Sequence, residues 1–294
     1  MNILQRISKV GELPTLPEII IKIESIRQSG EGSATLLSKV VERDPPLAAK
    51  ILKIANSSFY CPSSQRISSV SLAITRIGFN EVSRIALAIS LIRRFNRRGS
   101  IGDYKAFWQH SLQTAYLVPM IITESKIKIS PDLQDHFFMA GLLHDIGILV
   151  MDQFFGEEFG LVMECMTTKE ISYLQAEPIA LGKENHAVVG AAMLELWKMN
   201  AWAISGVRFH HAPARASQNH LPIAGACYIA EWISNNCRQS FEGKSEEFDT
   251  AIGDALGIKP AIFERLLERV DAEVEHNSLT SIVDEPEDVV LKKV

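Results

Sequence analysis

The sequence has few cysteines and no CxxC pair, and this absence excludes a disulfide-rich or thiolate-zinc scaffold. The four cysteines are Cys61, Cys165, Cys227 and Cys237. Cys227 and Cys237 fall on one predicted helix, where ten residues separate them by about 15 Å, too far for a disulfide. We therefore expect a reducing, cytoplasmic environment.

Long apolar runs are also missing. The longest, residues 85–92, is interrupted by Ser90 and followed by Arg93 and Arg94, whereas a membrane span needs roughly 20 apolar residues. Residues 1–6 carry charge but no continuous apolar segment, so no secretory signal is predicted. We expect neither membrane insertion nor export.

There is no excess of basic residues. Lys and Arg number 30 against 35 Asp and Glu, a net charge of −5, which argues against a DNA-binding protein. The one basic cluster contains Arg93, Arg94, Arg97 and Arg98. It either complements the negative end of a helix dipole or contacts a small anionic or nucleotide ligand or a partner.

Strand signals are scarce, and helix signals recur instead. No Asn-Gly or Asp-Gly hairpin turn separates alternating apolar runs. Asp44-Pro45, Ser69 and Asp103 are typical helix starts, and Gly78 is a typical helix end. These patterns predict an all-α fold. The tryptophans Trp108, Trp197, Trp202 and Trp232 fall on apolar helix faces, which favours a core role over base stacking.

The histidines are the residues on which chemistry can depend. His144-Asp145 ends an apolar helix, where a polar pair is costly unless it is paired or bound to a metal. His110 and His211 fall on the inward faces of other predicted helices, so several imidazoles can meet one carboxylate. The candidate metal ligands are His110, His144, Asp145, His186, His210 and His211. Such a set suits one or two ions of Mn, Fe, Ni or Zn, but a hydrogen-bonded cluster that only organises the core fits the spacing equally well.

At these positions the sequence resembles the HD superfamily of metal-dependent phosphohydrolases, and in particular its regulatory HDOD branch. The blocks that carry the resemblance are Leu-Pro-Thr-Leu-Pro at residues 13–17, Glu-Arg-Asp-Pro-Pro-Leu at 42–47, Ala-Asn-Ser-Ser-Phe-Tyr at 55–60, and the histidine segments at 186–197 and 210–211. The resemblance covers roughly residues 8–215. It implies a compact multi-helix bundle in two packed subdomains and a signalling role.

The departures from the HD pattern bear on catalysis. HD hydrolases carry a late Asp in their ligand set, and the resemblance places Cys227 at that position. Ile148 replaces the lysine that follows the HD pair in cyclic-dinucleotide phosphodiesterases, and Ala212-Pro213 replaces their Gly-Tyr-Pro signature. We therefore expect no cyclic-dinucleotide hydrolysis.

Two hypotheses follow. The favoured one is a regulatory, non-enzymatic HDOD protein that acts by binding a signalling partner or small ligand, with a His/Asp cluster able to hold metal. The alternative is a metal-dependent phosphohydrolase of phosphomonoesters or phosphodiesters, in which Asp145 is catalytic. Within the chain no receiver, kinase or cyclase segment is recognisable, so we expect regulation by another chain or a ligand. The predicted organisation is a helical subdomain at 1–99, an HD-like subdomain at 103–215, a helical extension at 216–276 and a charged tail at 277–294.

Overall fold

A computed structural model describes most of the chain, and all regular structure in the described residues is helical. Those residues are 3–7, 13–28, 34–57, 60–61, 66–95, 101, 103–125, 127–130, 133–237 and 247–276. The predicted all-α fold is confirmed. The chain divides into two compact units, which we call the N-terminal helical unit (residues 16–96 and 271–294) and the histidine unit (residues 1–15 and 97–270). The predicted charged tail, 277–294, lies outside the described residues.

The N-terminal helical unit is built from α2 to α6. These are α2 (Glu18–Gln28), α3 (Ala34–Glu42), α4 (Pro45–Ala55), α5 (Val70–Ile77) and α6 (Phe79–Phe95). The predicted starts are observed: Asp44 and Ser69 each accept a hydrogen bond from a backbone N–H in the first turn of their helix. Gly78 ends α5 with φ +94°, a conformation that a side chain disfavours.

Asn56 explains part of the polar block that follows α4. Its Oδ1 accepts from the Ile67 N–H at 2.8 Å, and its Nδ2 donates to the Ile67 and Leu52 carbonyls at 2.7 and 2.8 Å. The amide thus pairs both backbone groups of Ile67, which gives this block a structural role.

The histidine unit contains the other helices. They are α1 (Ile3–Ile7), α7 (Tyr104–Glu124), α8 (Gln134–Leu143), α9 (Ile146–Phe154), α10 (Gly156–Lys169), α11 (Tyr173–Leu181), α12 (His186–Leu196), α13 (Ala201–Phe209), α14 (Leu221–Cys237), α15 (Thr250–Leu256) and the first part of α16 (Phe263–His276). Helix α7 packs against α8 and α14, and α12 packs against α9 and α13. Residues 216–237 and 247–270 belong to this same unit, and their separation as an extension stays a prediction.

Two glycines allow the helices that carry the histidines to approach closely. A Cβ on Gly141 would lie 2.6 Å from the Thr114 carbonyl oxygen of α7, and a Cβ on Gly147 would lie 1.9 Å from the His186 carbonyl oxygen. Both distances are far below van der Waals contact. The α7–α8 and α9–α12 contacts therefore require glycine at these positions.

The first described residues are attached to the histidine unit by polar contacts. The Ile3 and Leu4 N–H groups donate to the Glu184 carboxylate at 3.1 and 3.2 Å. Trp197 Nε1 donates to the Pro14 carbonyl at 2.8 Å. Trp108 is fully buried as predicted, whereas Trp197, Trp202 and Trp232 are half-buried.

No described helix is by itself long and apolar enough to cross a membrane. Two adjoining stretches, His136–Leu143 and Ile146–Phe154, reach the required length only together, and the chain bends by 44° between them. Cys227 and Cys237 lie on one helix, α14, as predicted.

Candidate metal centre

Asp145 lies at the centre of a buried cluster, in the turn between α8 and α9. Its Oδ2 is 3.0 Å from His144 Nε2 and 3.6 Å from His110 Nε2. Its Oδ1 is 3.4 Å from His186 Nε2 and 3.5 Å from His210 Nε2. The carboxylate is 1% exposed, so each of its oxygens meets histidines rather than water.

The cluster contains two sets of candidate ligand atoms that share Asp145. One set is His110, His144 and Asp145; the other is Asp145, His186, His210 and His211. Within each set the ligand atoms lie within 4.8 Å of one another. The structure thus brings together all six residues that the sequence suggested as metal ligands, on four helices and the turns that follow them.

The outer nitrogens of the rings are fixed by acceptors. His144 Nδ1 lies 2.7 Å from the Gly141 carbonyl, and His210 Nδ1 lies 2.6 Å from the Val207 carbonyl. Because a carbonyl only accepts, both Nδ1 atoms carry the hydrogen. The Ser234 hydroxyl donates its hydrogen bond to Gln113, so its Oγ accepts from His110 Nδ1 at 3.0 Å.

Glu177 fixes the His186 ring in the same way. Its Oε2 lies 2.7 Å from His186 Nδ1, and its Oε1 accepts the His186 backbone N–H, also at 2.7 Å. A carboxylate that binds the outer nitrogen of a histidine sets the tautomer and makes the inner nitrogen a better ligand. Sequence reasoning missed Glu177, which is nine positions away on another helix with no local pattern that links it to His186.

In the neutral rings each inner nitrogen, Nε2, therefore carries a lone pair, and these lone pairs face one another. The Nε2 atoms of His110 and His144 are 3.0 Å apart, and those of His186 and His210 are 3.2 Å apart. Asp145 Oδ1 is buried with no hydrogen-bond partner. Lone pairs and an anionic oxygen at such distances repel unless a cation lies among them, so these residues fit a bound metal ion.

Protonation states favour the same conclusion. Burial lowers the pKa of His110 to about 3 and that of His210 to about 4, and it brings the pKa of His211 well below its ordinary value. Burial alone would raise the pKa of Asp145, but the approach of His144 outweighs it and holds that pKa well below its ordinary value. Neutral imidazoles and an ionised carboxylate are the forms that bind metal. The mixed set, without thiolate, suits Mn, Fe, Ni or Zn.

The carboxylate that α14 brings to the cluster is Glu231, one turn after Cys227. Its Oε1 is 3.5 Å from His211 Nδ1 and its Oε2 is 3.8 Å from His210 Nε2. Cys227 is fully buried, and burial raises the pKa of its thiol, so the thiolate form is disfavoured. The family resemblance points to Cys227 at this place in the chain. The i, i+4 spacing from Cys227 to Glu231 is the sequence signal that could have identified Glu231.

A cavity of about 760 Å³ opens against one side of the cluster. It is lined by Glu177, His211 and Glu231, whose side chains also belong to the ligand set or support it. His110 and His144 do not line it. The set that contains His211 is therefore next to a space that a ligand can enter.

The predicted arginine cluster is divided between described and undescribed residues. Arg93 pairs with Asp44 at 3.1 Å, and with Arg94 and Ser90 it lines a cavity of about 260 Å³ in the N-terminal helical unit. Arg97 and Arg98 lie outside the described residues. A role for these arginines in ligand binding stays a prediction.

The fold and the cluster define a class: an all-helical domain with a buried histidine–carboxylate centre whose HD pair stands at a helix junction. The chain belongs to the HDOD domain family, whose sequence profile matches residues 13–213. The predicted family resemblance is confirmed.

Solved structures with the same fold include an HDOD domain protein from Geobacter sulfurreducens, with 23% identity, a TM-score of 0.77 and coverage of 96% of this chain and 95% of that one. A “Putative signal transduction protein” from Marinobacter aquaeolei has 26% identity and a TM-score of 0.77 over 93% of this chain and 60% of that one. A “Putative phosphohydrolase” from Shewanella amazonensis has 20% identity and a TM-score of 0.69 over 95% of this chain and 96% of that one.

Among curated sequences, an uncharacterised protein of Treponema pallidum is 21% identical over 222 residues, which are 76% of this chain. The chain spans 42% of the length of that relative.

Proposed function

We propose that this HDOD protein is a regulatory domain that holds two divalent metal ions and acts by binding a signalling partner or a small ligand. The observation that carries the proposal is the position of Asp145, one carboxylate shared by two sets of converging ligands. One ion would be held by His110, His144 and Asp145, and the other by Asp145, His186, His210 and His211.

Two features support regulation rather than turnover. His110 and His144 are 7% and 0% exposed and do not line the large cavity. Among the described residues of α14, the side chain that contacts His110 is the neutral Ser234, so no late carboxylate completes this set. An ion held by this buried three-ligand set would keep the shared Asp145 in place for the second set, which contains His186, His210 and His211.

A second candidate, a metal-dependent phosphohydrolase, is favoured by the cavity against His211 and Glu231. Bound divalent ions would polarise phosphate oxygens and lower the pKa of a bound water. Glu177 and Glu231 would orient the imidazoles of His186 and His211, and the cavity walls would position the phosphoester. In this case Asp145 is the residue on which catalysis depends.

Metal content tests the proposed centre. The protein is purified without chelators, reconstituted with Mn, Fe, Ni or Zn, and analysed for bound metal. We expect up to two ions per wild-type chain and loss of both in Asp145→Asn, because both sets need that carboxylate. His220→Ala is the control: His220 lies outside both ligand sets, against Ser217, and metal content should not change. Folded wild-type protein that binds no metal after reconstitution would contradict the proposal.

Turnover separates the two candidate functions. The metal-loaded protein is assayed with p-nitrophenyl phosphate and bis(p-nitrophenyl) phosphate. The regulatory proposal expects no turnover above that of Asp145→Asn and His144→Ala. Turnover that disappears in both variants, while they remain folded by circular dichroism, would establish the hydrolase instead.

A further inference from the structure

The outer wall of the large cavity comes from residues beyond the part of the chain that the family profile matches. The profile ends at residue 213. Tyr228 and Trp232 of α14, with Glu247 and Asp249 before α15, line the cavity on this side. The wall is therefore formed by residues that follow the segment matched by the family profile.

Aromatic packing holds this wall in place. Phe248 stacks on Tyr228 with ring centroids 5.9 Å apart at 25°, and it meets Trp232 edge-on at 5.2 Å. Phe263 of α16 packs against Phe248 at 5.0 Å. The Asp249 N–H donates to Tyr228 Oη at 2.8 Å. The two acids that flank Phe248 are thus attached to a packed aromatic cluster.

Acidic side chains outnumber basic ones among the described residues that line the cavity. Among the described residues, Glu177, Glu231, Glu247 and Asp249 line it together with one cationic side chain, Arg215. Glu177 directs both oxygens to His186, and Glu231 lies against the two adjacent histidines. Glu247 and Asp249, both exposed, line the same cavity and form its acidic rim, and the Asp249 backbone contacts Tyr228. A ligand that is anionic throughout would be repelled at this rim.

Positive charge would be favoured there, because cations bind carboxylates and the faces of aromatic rings. We infer that the cavity takes a small zwitterion: an anionic phosphate end directed to His211 and the metal centre, and an ammonium end held between Glu247, Asp249 and the rings of Tyr228 and Trp232. The phosphate end of this inference rests on the proposed metal centre; the ammonium end does not.

A pair of probes that differ in one charge tests the inference. Binding of phosphocholine to the metal-loaded protein is compared by calorimetry with binding of 3,3-dimethylbutyl phosphate, in which carbon replaces the ammonium nitrogen. We expect about a tenfold preference for phosphocholine, the size of a desolvated cation–π contact. Equal affinity, tighter binding of the probe that lacks the ammonium, or no binding of either one would overturn the inference.

Variants then locate the preference. Asp249→Asn combined with Glu247→Gln should abolish it; the Asn retains the ability to cap α15, where Asp249 accepts from the Ala251 N–H. Asp254→Asn, an exposed change on α15 outside the cavity, is the control and should keep the preference. A preference that persists in the double variant would place the ammonium elsewhere and overturn the inference.

A phosphate-free pair makes the test independent of metal. Choline and 3,3-dimethylbutanol are compared in protein stripped of metal. A preference for choline that the double variant loses would support the acid–aromatic wall even if the protein binds no metal ion. If metal binds and choline shows no preference, the inference fails while the proposed metal centre stands.

Discussion

Glu177 is the residue through which the structure controls the orientation of His186. The carboxylate is 2% exposed, and its two oxygens contact the ring nitrogen and the backbone N–H of the same residue. Burying a carboxylate costs free energy unless hydrogen-bond donors hold it. A buried Glu177 without its two partners would strongly destabilise the fold. Its effect on the proposed metal centre is indirect: it positions a candidate ligand without being one.

We predict that Glu177→Gln weakens metal binding by about 10–100-fold, the usual cost of losing a supporting carboxylate behind a ligating histidine. The amide can still accept from one of the two donors, so the fold should survive. The measurement is metal affinity by chelator competition, with the urea midpoint recorded in parallel. Glu195→Gln is the matched control, since Glu195 pairs at the surface with Arg208 on α13. A fall in stability with metal affinity unchanged would contradict a positioning role.

The sequence patterns identified the histidines but not the carboxylates that orient their rings. His144-Asp145 was visible because a polar pair interrupts an apolar helix, and His210-His211 because it ends one. Glu177 carries no such mark: it acts on a residue of another helix, and that proximity is created only by the fold. Glu231 is marked only by its spacing of four residues from Cys227. That one carboxylate, Asp145, serves two sets of ligands is likewise a property of three-dimensional packing, which spacing in the sequence does not encode.

At the scale of elements, the approach of α9 to the first turn of α12 places His186 beside Asp145. Gly147 lies one position into α9, and no side chain fits between it and the His186 carbonyl. The contact therefore couples the separation of two helices directly to the geometry of the histidine–carboxylate cluster.

We predict that Gly147→Ala destabilises the protein by about 3 kcal/mol or more, because a methyl group 1.9 Å from a backbone oxygen forces the helices apart. Bound metal should fall as well, since the displaced carbonyl belongs to a ligand. Both are measured by urea denaturation and elemental analysis. Gly160→Ala is the control: nothing lies within 4 Å of its added Cβ in α10, so it should stabilise by about 0.5–1 kcal/mol. Equal stability of the two variants would show that the helices can separate freely.

Element boundaries could be predicted where a local cap marks them. Asp44, Ser69 and Asp103 were expected to begin helices, and each accepts a backbone N–H in the first turn. Helix α8 begins at Gln134 with no side-chain cap, so no such local mark identifies its start. Close helix approaches at Gly141 and Gly147 were not predictable, because a glycine inside a helix carries no sign of which partner it faces.

For the whole molecule, the buried neutral histidines make stability depend on pH. The pKa of His110 is lowered to about 3 and that of His210 to about 4, whereas the unfolded chain binds a proton near pH 6.5. Between these values the unfolded state holds more protons than the folded state. Stability therefore rises with pH across this window and falls as the pH drops below about 6.5.

We predict that metal-free protein loses stability from pH 6.5 to pH 5, with a slope that rises to about 1.4 kcal/mol per pH unit for each such histidine. Urea midpoints at half-unit steps of pH, with chelator present, measure the slope. His110→Gln removes one titrating group while its amide can still pair with Ser234, so the slope should fall by about one histidine's share. His220→Ala, outside the cluster, should leave it unchanged. If His110→Gln leaves the slope of stability against pH unchanged, the loss of stability in acid comes from other groups. The His110 imidazole would then accept a proton without unfolding the cluster.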